Sequence, residues 1–218
     1  MSWAALTSGG KDSILSVQKA IDSGKDVRYL VTARPENSDS YMFHSANLDA
    51  VAAIAKVAGM EYVEISTQGR KEEELADLEA GLAALDVEGV IAGAVASQYQ
   101  ADRVKAITDR LGIDLFTPLW HMDTEALIRE VADRMEAIII VTAAEGLDED
   151  FLGARFDEAL IRRLMQVAAV NRINLAGEGG EYETLTLNAP FYSRPITYAT
   201  CEVRSTPGRH EMVLGGFA

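Results

Sequence analysis

Ser8-Gly9-Gly10-Lys11-Asp12-Ser13 stands between a short apolar run, Trp3 to Leu6, and a segment, Ser13 to Ser23, whose Ile14, Val17, Ala20 and Ile21 recur at helical spacing. At ordinary residue frequencies the pattern SGGxDS arises by chance on the order of once in ten thousand chains of this length. Two glycines let a backbone come close to a ligand, Ser8 and Ser13 add hydroxyls, and the first amides of a helix carry the positive end of its dipole. A strand, a glycine turn and a helix start in that order make an anion site, and phosphate is the anion it suits. The stretch is neither a Walker A loop nor a GxGxxG dinucleotide fingerprint. The plainer alternative is an ordinary strand–helix turn with Ser8 as N-cap.

Outward from the loop, apolar runs alternate with amphipathic segments. Strands are expected at Trp3 to Leu6, Val27 to Ala33, Tyr62 to Ile65, Val87 to Ala92 and Ile113 to Phe116, with helices at Ser13 to Ser23, Leu48 to Val57, Lys71 to Leu85 and Ala101 to Leu111. This βαβ rhythm predicts an α/β fold, a doubly wound five-stranded parallel sheet of Rossmann-like type, over residues 1–120. Beyond Thr117-Pro118 the order changes to a helix at Thr124 to Met135, a strand at Ala137 to Thr142, a helix at Phe156 to Asn171, and extended segments at Thr184 to Asn188, Ile196 to Arg204 and His210 to Leu214. A smaller α+β domain over residues 121–218 is the expectation.

Composition narrows the function. The 218 residues are 48% hydrophobic and 25% charged, as in ordinary globular domains. With 20 Lys+Arg against 34 Asp+Glu the net charge is −14, and no basic stripe offers an extended surface to a nucleic-acid backbone. The single cysteine, Cys201, excludes an internal disulfide and a CxxC pair. Neither a signal peptide nor a membrane span is expected: Trp3 to Leu6 runs at once into a glycine turn with no basic leader, and uninterrupted apolar runs such as Ala137 to Val141 are far below the roughly 20 residues a span needs. A cytoplasmic location follows as the expectation.

Further segments give the loop a context: Tyr41-Met42-Phe43-His44 with Asn47, Gly93 to Val104, Pro118-Leu119-Trp120, Leu152-Gly153, and Gly177-Glu178-Gly179-Gly180-Glu181-Tyr182-Glu183-Thr184. The loop resembles the PP-loop of the ATP pyrophosphatases, which cleave ATP between its α and β phosphates. Together, from Ser8 to Pro190, the segments resemble the diphthine–ammonia ligase family. That resemblance implies ATP and Mg²⁺ as cofactors, ammonium as a substrate, and the diphthine of elongation factor 2 as the acceptor, amidated to diphthamide with release of AMP and pyrophosphate. It implies nucleotide contacts from Ser8, Gly9, Gly10, Lys11, Asp12, Ser13, His44, Gly93, Ser97, Tyr99 and Gln100, with Asp12 on the metal. Lys11, Asp12, Arg103, Glu181 and Glu183 become catalytic candidates, and Glu178, Gly179, Gly180, Glu181, Glu183 and Thr184 the substrate wall.

Read from the residues alone, Gly93 to Arg103 follows a central strand, where open α/β sheets bind ligands. Its plain alternative is a βα loop with Arg103 in a surface ion pair. His44 fits a packed structural histidine as well as a ligand, and three glutamates in an acidic chain fit a solvated loop unless its glycines serve a close approach. Those carboxylates would attract and deprotonate ammonium or hold Mg²⁺, with the division among them open. With no cysteine nucleophile placed beside a histidine, ammonia is expected from solution. An AMP-forming ligase of small carboxylates and a non-catalytic nucleotide sensor stand as alternatives, and a homodimer is an open expectation.

Overall fold

The computed structural model describes residues 2–35, 47–67 and 73–218. Five strands, β1 (Ser2–Leu6), β2 (Val27–Pro35), β3 (Glu61–Thr67), β4 (Val87–Ile91) and β5 (Asp114–Phe116), form one sheet in the order β3-β2-β1-β4-β5. All four pairings are parallel. Helices α1 (Lys11–Asp22), α2 (Asp49–Ala58), α3 (Glu73–Ala83) and α4 (Gln98–Leu111) make the crossovers. The period of two along the central strands divides their side chains between two apolar layers. Trp3, Ala5, Leu30 and Ile91 pack with Ile14, Val17, Val51 and Ile54 of α1 and α2. Ala4, Val31 and Val90 pack with Leu78, Leu82, Val104 and Ile107 of α3 and α4. The sheet is thus covered on both faces, and strand order reverses between β1 and β4.

The other α-helices and strands among the described residues are α5 (Thr124–Arg134), β6 (Glu136–Thr142), α6 (Glu158–Asn171), β7 (Tyr182–Asn188), β8 (Thr200–Thr206) and β9 (Arg209–Gly215), with a 3-10 turn at Glu149–Phe151. Asp123 and Asp157 start the two helices by accepting from the amides of Ala126 and Leu160 at 2.9 and 2.8 Å. The four strands form an antiparallel sheet in the order β7-β6-β9-β8. The apolar run Ala137 to Val141 becomes the buried strand β6 of this sheet, and its core is continuous with that around α1 and α2. The two sheets therefore pack through one hydrophobic layer, not as bodies joined only by a linker.

The fold class expected from the sequence is the one observed. Two details differ from expectation. The extended segment placed at Ile196 to Arg204 forms a strand only from Thr200, because Pro195 precedes it and Thr197 exchanges hydrogen bonds with the chain end at Ala218. Helix α4 starts at Gln98, so Tyr99, Gln100 and Arg103 lie on its first turns and not in the preceding loop. The expected Tyr41 to His44 segment lies outside the described residues.

Candidate functional site

The phosphate loop is built by a chain of small polar contacts. Thr7 Oγ1 accepts from the Gly9 amide at 2.9 Å and meets Ser13 Oγ at 2.8 Å, and Ser13 Oγ donates to the Gly10 carbonyl at 3.0 Å. Gly9 turns at φ 81°, in the left-handed region that a side chain resists. Helix α1 begins at the N-cap Gly10 with no side-chain cap, so Ser8 is not capping it. Of the amides without an intrahelical partner at this end, that of Lys11 is taken by Thr184 Oγ1 at 3.0 Å, while Gly10, Asp12 and Ser13 line the adjoining cavity. Strand β7 also holds the loop from the outside through the Thr186 amide, which donates to the Gly9 carbonyl at 2.9 Å.

Gly93, after β4, presses against this helix start. A Cβ there would lie 2.9 Å from the Ser13 nitrogen and 3.0 Å from the Asp12 carbonyl carbon. The absent side chain lets the β1 and β4 loops meet at the switch point, and a cavity of about 580 Å³ opens beside them.

Lys11 is 3% exposed. Its Nζ donates to Asp12 Oδ2 at 2.7 Å and to the Ala176 carbonyl, and it lies 5.3 Å from the ring centroid of Tyr182. Burial of the neutral Tyr182, with nearby carboxylates adding to it, pushes its phenol well up, and its hydroxyl donates to the Leu175 carbonyl at 2.6 Å. Asp12 Oδ1, by contrast, is buried without a hydrogen-bond partner.

The wall opposite comes from the segment before β7. Glu178 reaches across to accept from the Ala96 amide at 3.3 Å. Burial, with the charge of Asp12 second, raises its carboxyl above the usual range. Between the ordinary and the raised value the folded protein keeps a proton that the unfolded chain has released, so stability falls as pH rises through that window. In Glu178→Gln this fall should be absent, as denaturant titrations from acidic to neutral pH would record. Parallel pH profiles for the two proteins would contradict the assignment.

Ser8, Gly10, Lys11, Asp12, Ser13, Gly93, Ser97, Tyr99, Glu178, Gly179, Gly180, Glu183 and Thr184 all line the cavity. Others from the expected set stand behind it. Gly9 forms the back of the loop, and Arg103 stacks on the Tyr99 ring at 3.5 Å. The Glu181 carboxylate accepts from the amides of Asn174 and Gly179, each at 2.8 Å, and so fixes the shape of the glycine segment. Glu183 also lies 3.6 Å from Arg209. Gln100 sits on the first turn of α4, and His44 is outside the described residues. Sequence reasoning did not single out Thr7, Thr186 or the Ala176 carbonyl. Thr7 adjoins the motif and could have been read with it, but the other two meet the loop only through the second sheet.

A glycine loop at a helix start, placed at the switch point of a parallel sheet and faced by carboxylates, defines an α/β protein with an anion-cradling cavity. Residues 1–115 match the family described as Diphthamide synthase N-terminal domain, and residues 123–206 match its C-terminal domain. The diphthine–ammonia ligases of Rattus norvegicus and Homo sapiens are 34% and 33% identical to it, over 91% and 92% of this chain and 83% and 84% of theirs. Among solved structures, a predicted subunit of tRNA methyltransferase from Methanocaldococcus jannaschii shares the fold. It has a TM-score of 0.51 at 15% identity, over 87% of this chain and 98% of that one. The chain belongs to the diphthamide synthase family and is an enzyme of the ligase class. No helix among the described residues is long and apolar enough to cross a membrane.

Proposed function

We propose that the enzyme uses ATP and ammonia to amidate the diphthine of elongation factor 2, through an acyl-adenylate, giving diphthamide, AMP and pyrophosphate. The observation that carries this reading is the single cavity in which the phosphate loop and Glu178 face each other, in a chain whose relatives are named diphthine–ammonia ligase. The loop from Ser8 to Ser13 grips the β and γ phosphates, which leaves the α phosphorus beyond the grip and open to the acceptor carboxylate. Attack there forms the carboxyl–phosphate bond and releases pyrophosphate. Ammonia then displaces AMP at the acyl carbon.

Mg²⁺ fits the donor set. Asp12 Oδ1 is a buried carboxylate oxygen without a partner, and a hard cation of this kind binds through one or two carboxylates with phosphate oxygens and waters completing its shell. Asp12 would hold the ion, which would supply neutralising charge for the phosphates. Glu178, made more basic by burial and by Asp12, is suited to take a proton from ammonium. Arg103 braces Tyr99 against the nucleotide side. In this division residues 1–120 build the nucleotide site and residues 121–218 the acceptor side, in a cytoplasmic enzyme whose exposed free Cys201 suits a reducing compartment.

Incubating the enzyme with ATP, ammonium and elongation factor 2 that carries diphthine should yield AMP, pyrophosphate and an acceptor whose mass changes by replacement of hydroxyl with amine. Appearance of ADP would overturn the phosphate grip. Adenylate formed only with small carboxylates would replace the protein acceptor with a small one.

A further inference from the structure

Strand β8, Thr200-Cys201-Glu202-Val203-Arg204-Ser205-Thr206, is the outer strand of the antiparallel sheet, and every one of its residues is exposed. Its register with β9 runs from Thr200↔Gly215 to Thr206↔Arg209 without a bulge, so its outer edge offers a regular row of backbone donors and acceptors. Proteins commonly blunt such an edge with proline, charged side chains, a bulge or a cover. Strand β8 has no proline and no bulge, and its two charges, Glu202 and Arg204, are of opposite sign and lie 2.9 Å apart on the strand itself.

Its sequence is also self-complementary about Val203. When two copies of β8 lie antiparallel with Val203 opposite Val203, Glu202 of each meets Arg204 of the other, Cys201 meets Ser205 and Thr200 meets Thr206. Opposite charges fall opposite each other twice, and no like charges meet. A second observation points the same way. Val203 is 47% exposed while Met212, its partner on β9, is 7% exposed, so the apolar row of the sheet runs out to the edge and stops in water. A second copy would continue that row from Met212 through the two valines to the other Met212.

We infer that β8 is a self-association edge, through which two copies of the chain pair in antiparallel register about Val203 to form an eight-stranded sheet across a two-fold axis. This goes beyond the catalytic reading and is independent of it. One strand pair is a small interface, and the net charge of −14 on each copy opposes it, so association is weak and strengthens as moderate salt screens that repulsion.

Sedimentation equilibrium of the full chain tests this over a concentration series to about 1 mM, where even weak contacts are populated. The wild type should approach the mass of a dimer. Arg204→Glu, which sets glutamate opposite glutamate, should weaken association at least tenfold, and Glu202→Arg with Arg204→Glu should restore it by exchanging the charges. Circular dichroism of each variant checks that the monomer stays folded. A wild type monomeric throughout the range overturns the inference, including the case where Arg204→Glu weakens only the capture of a protein substrate. A dimer indifferent to Arg204→Glu, or one that the charge exchange fails to restore, places the contact elsewhere and overturns it too.

Discussion

Asp12→Asn is expected to lower turnover by a factor of about 10² to 10³, the usual cost of losing one group that stabilises charge at the reacting centre. The substitution keeps the size of the side chain and an oxygen able to accept from Lys11 Nζ, now 2.7 Å from Asp12 Oδ2. It removes the charge that the partnerless Oδ1 presents. Asp12→Ala should lose as much activity and also destabilise the fold by about 1–3 kcal/mol, because Lys11, 3% exposed, is left with the Ala176 carbonyl as its remaining acceptor. This exceeds the roughly 1 kcal/mol expected of a residue that serves only the helix dipole. Rates measured at saturating ATP and Mg²⁺, with urea midpoints for both variants, separate the two effects. Asn at wild-type rate would remove Asp12 from the site. Equal loss of rate and of stability in both variants would make its role structural.

How much of this site could be read in the chain follows from which contacts are local. The loop from Ser8 to Ser13 was legible because its glycines and hydroxyls are consecutive and act on amides of the same turn. The parallel sheet was legible because burial on both faces writes unbroken apolar runs such as Trp3 to Leu6, and β6 of the second sheet, buried along Ala137 to Val141, shows the same signature. Contacts made across more than 150 residues left no such trace. Thr184 Oγ1 on the Lys11 amide, Thr186 on Gly9, and the Ala176 carbonyl on Lys11 Nζ exist only once the second sheet has docked. The same docking sorts the glutamates, which look alike in sequence. Glu178 reaches across to the Ala96 amide, where the charge of Asp12 opposes its ionisation, while Glu181 turns back on the amides of its own segment. Strand β8 begins only at Thr200, since the amides of Ile196 and Thr197 go to the carbonyls of Leu187 and Ala218, partners that the local sequence does not write.

Gly93→Ala adds one methyl group and no chemistry, yet it should weaken ATP binding at least tenfold and destabilise the protein by about 1–3 kcal/mol, the range for overpacking a filled site. All three atoms nearest the added carbon, within 2.9 to 3.0 Å, belong to the backbone of Asp12 and Ser13, so no side chain can swing away to admit it. Relief requires the start of α1 to move off the β4 loop by several tenths of an ångström. That motion would strain the Thr7–Ser13–Gly10 hydrogen bonds and the Lys11 amide's bond to Thr184 together. The amides that cradle phosphate then lose their common aim, and affinity falls although every polar group is still present. Isothermal titration with a non-hydrolysable ATP analogue, beside the urea midpoint, reads both quantities. A variant that is destabilised but binds the analogue normally would show that the loop tolerates displacement and that Gly93 serves packing alone. Loss of binding at unchanged stability would place the nucleotide itself against Gly93, closer to the backbone than the Ser13 contact requires.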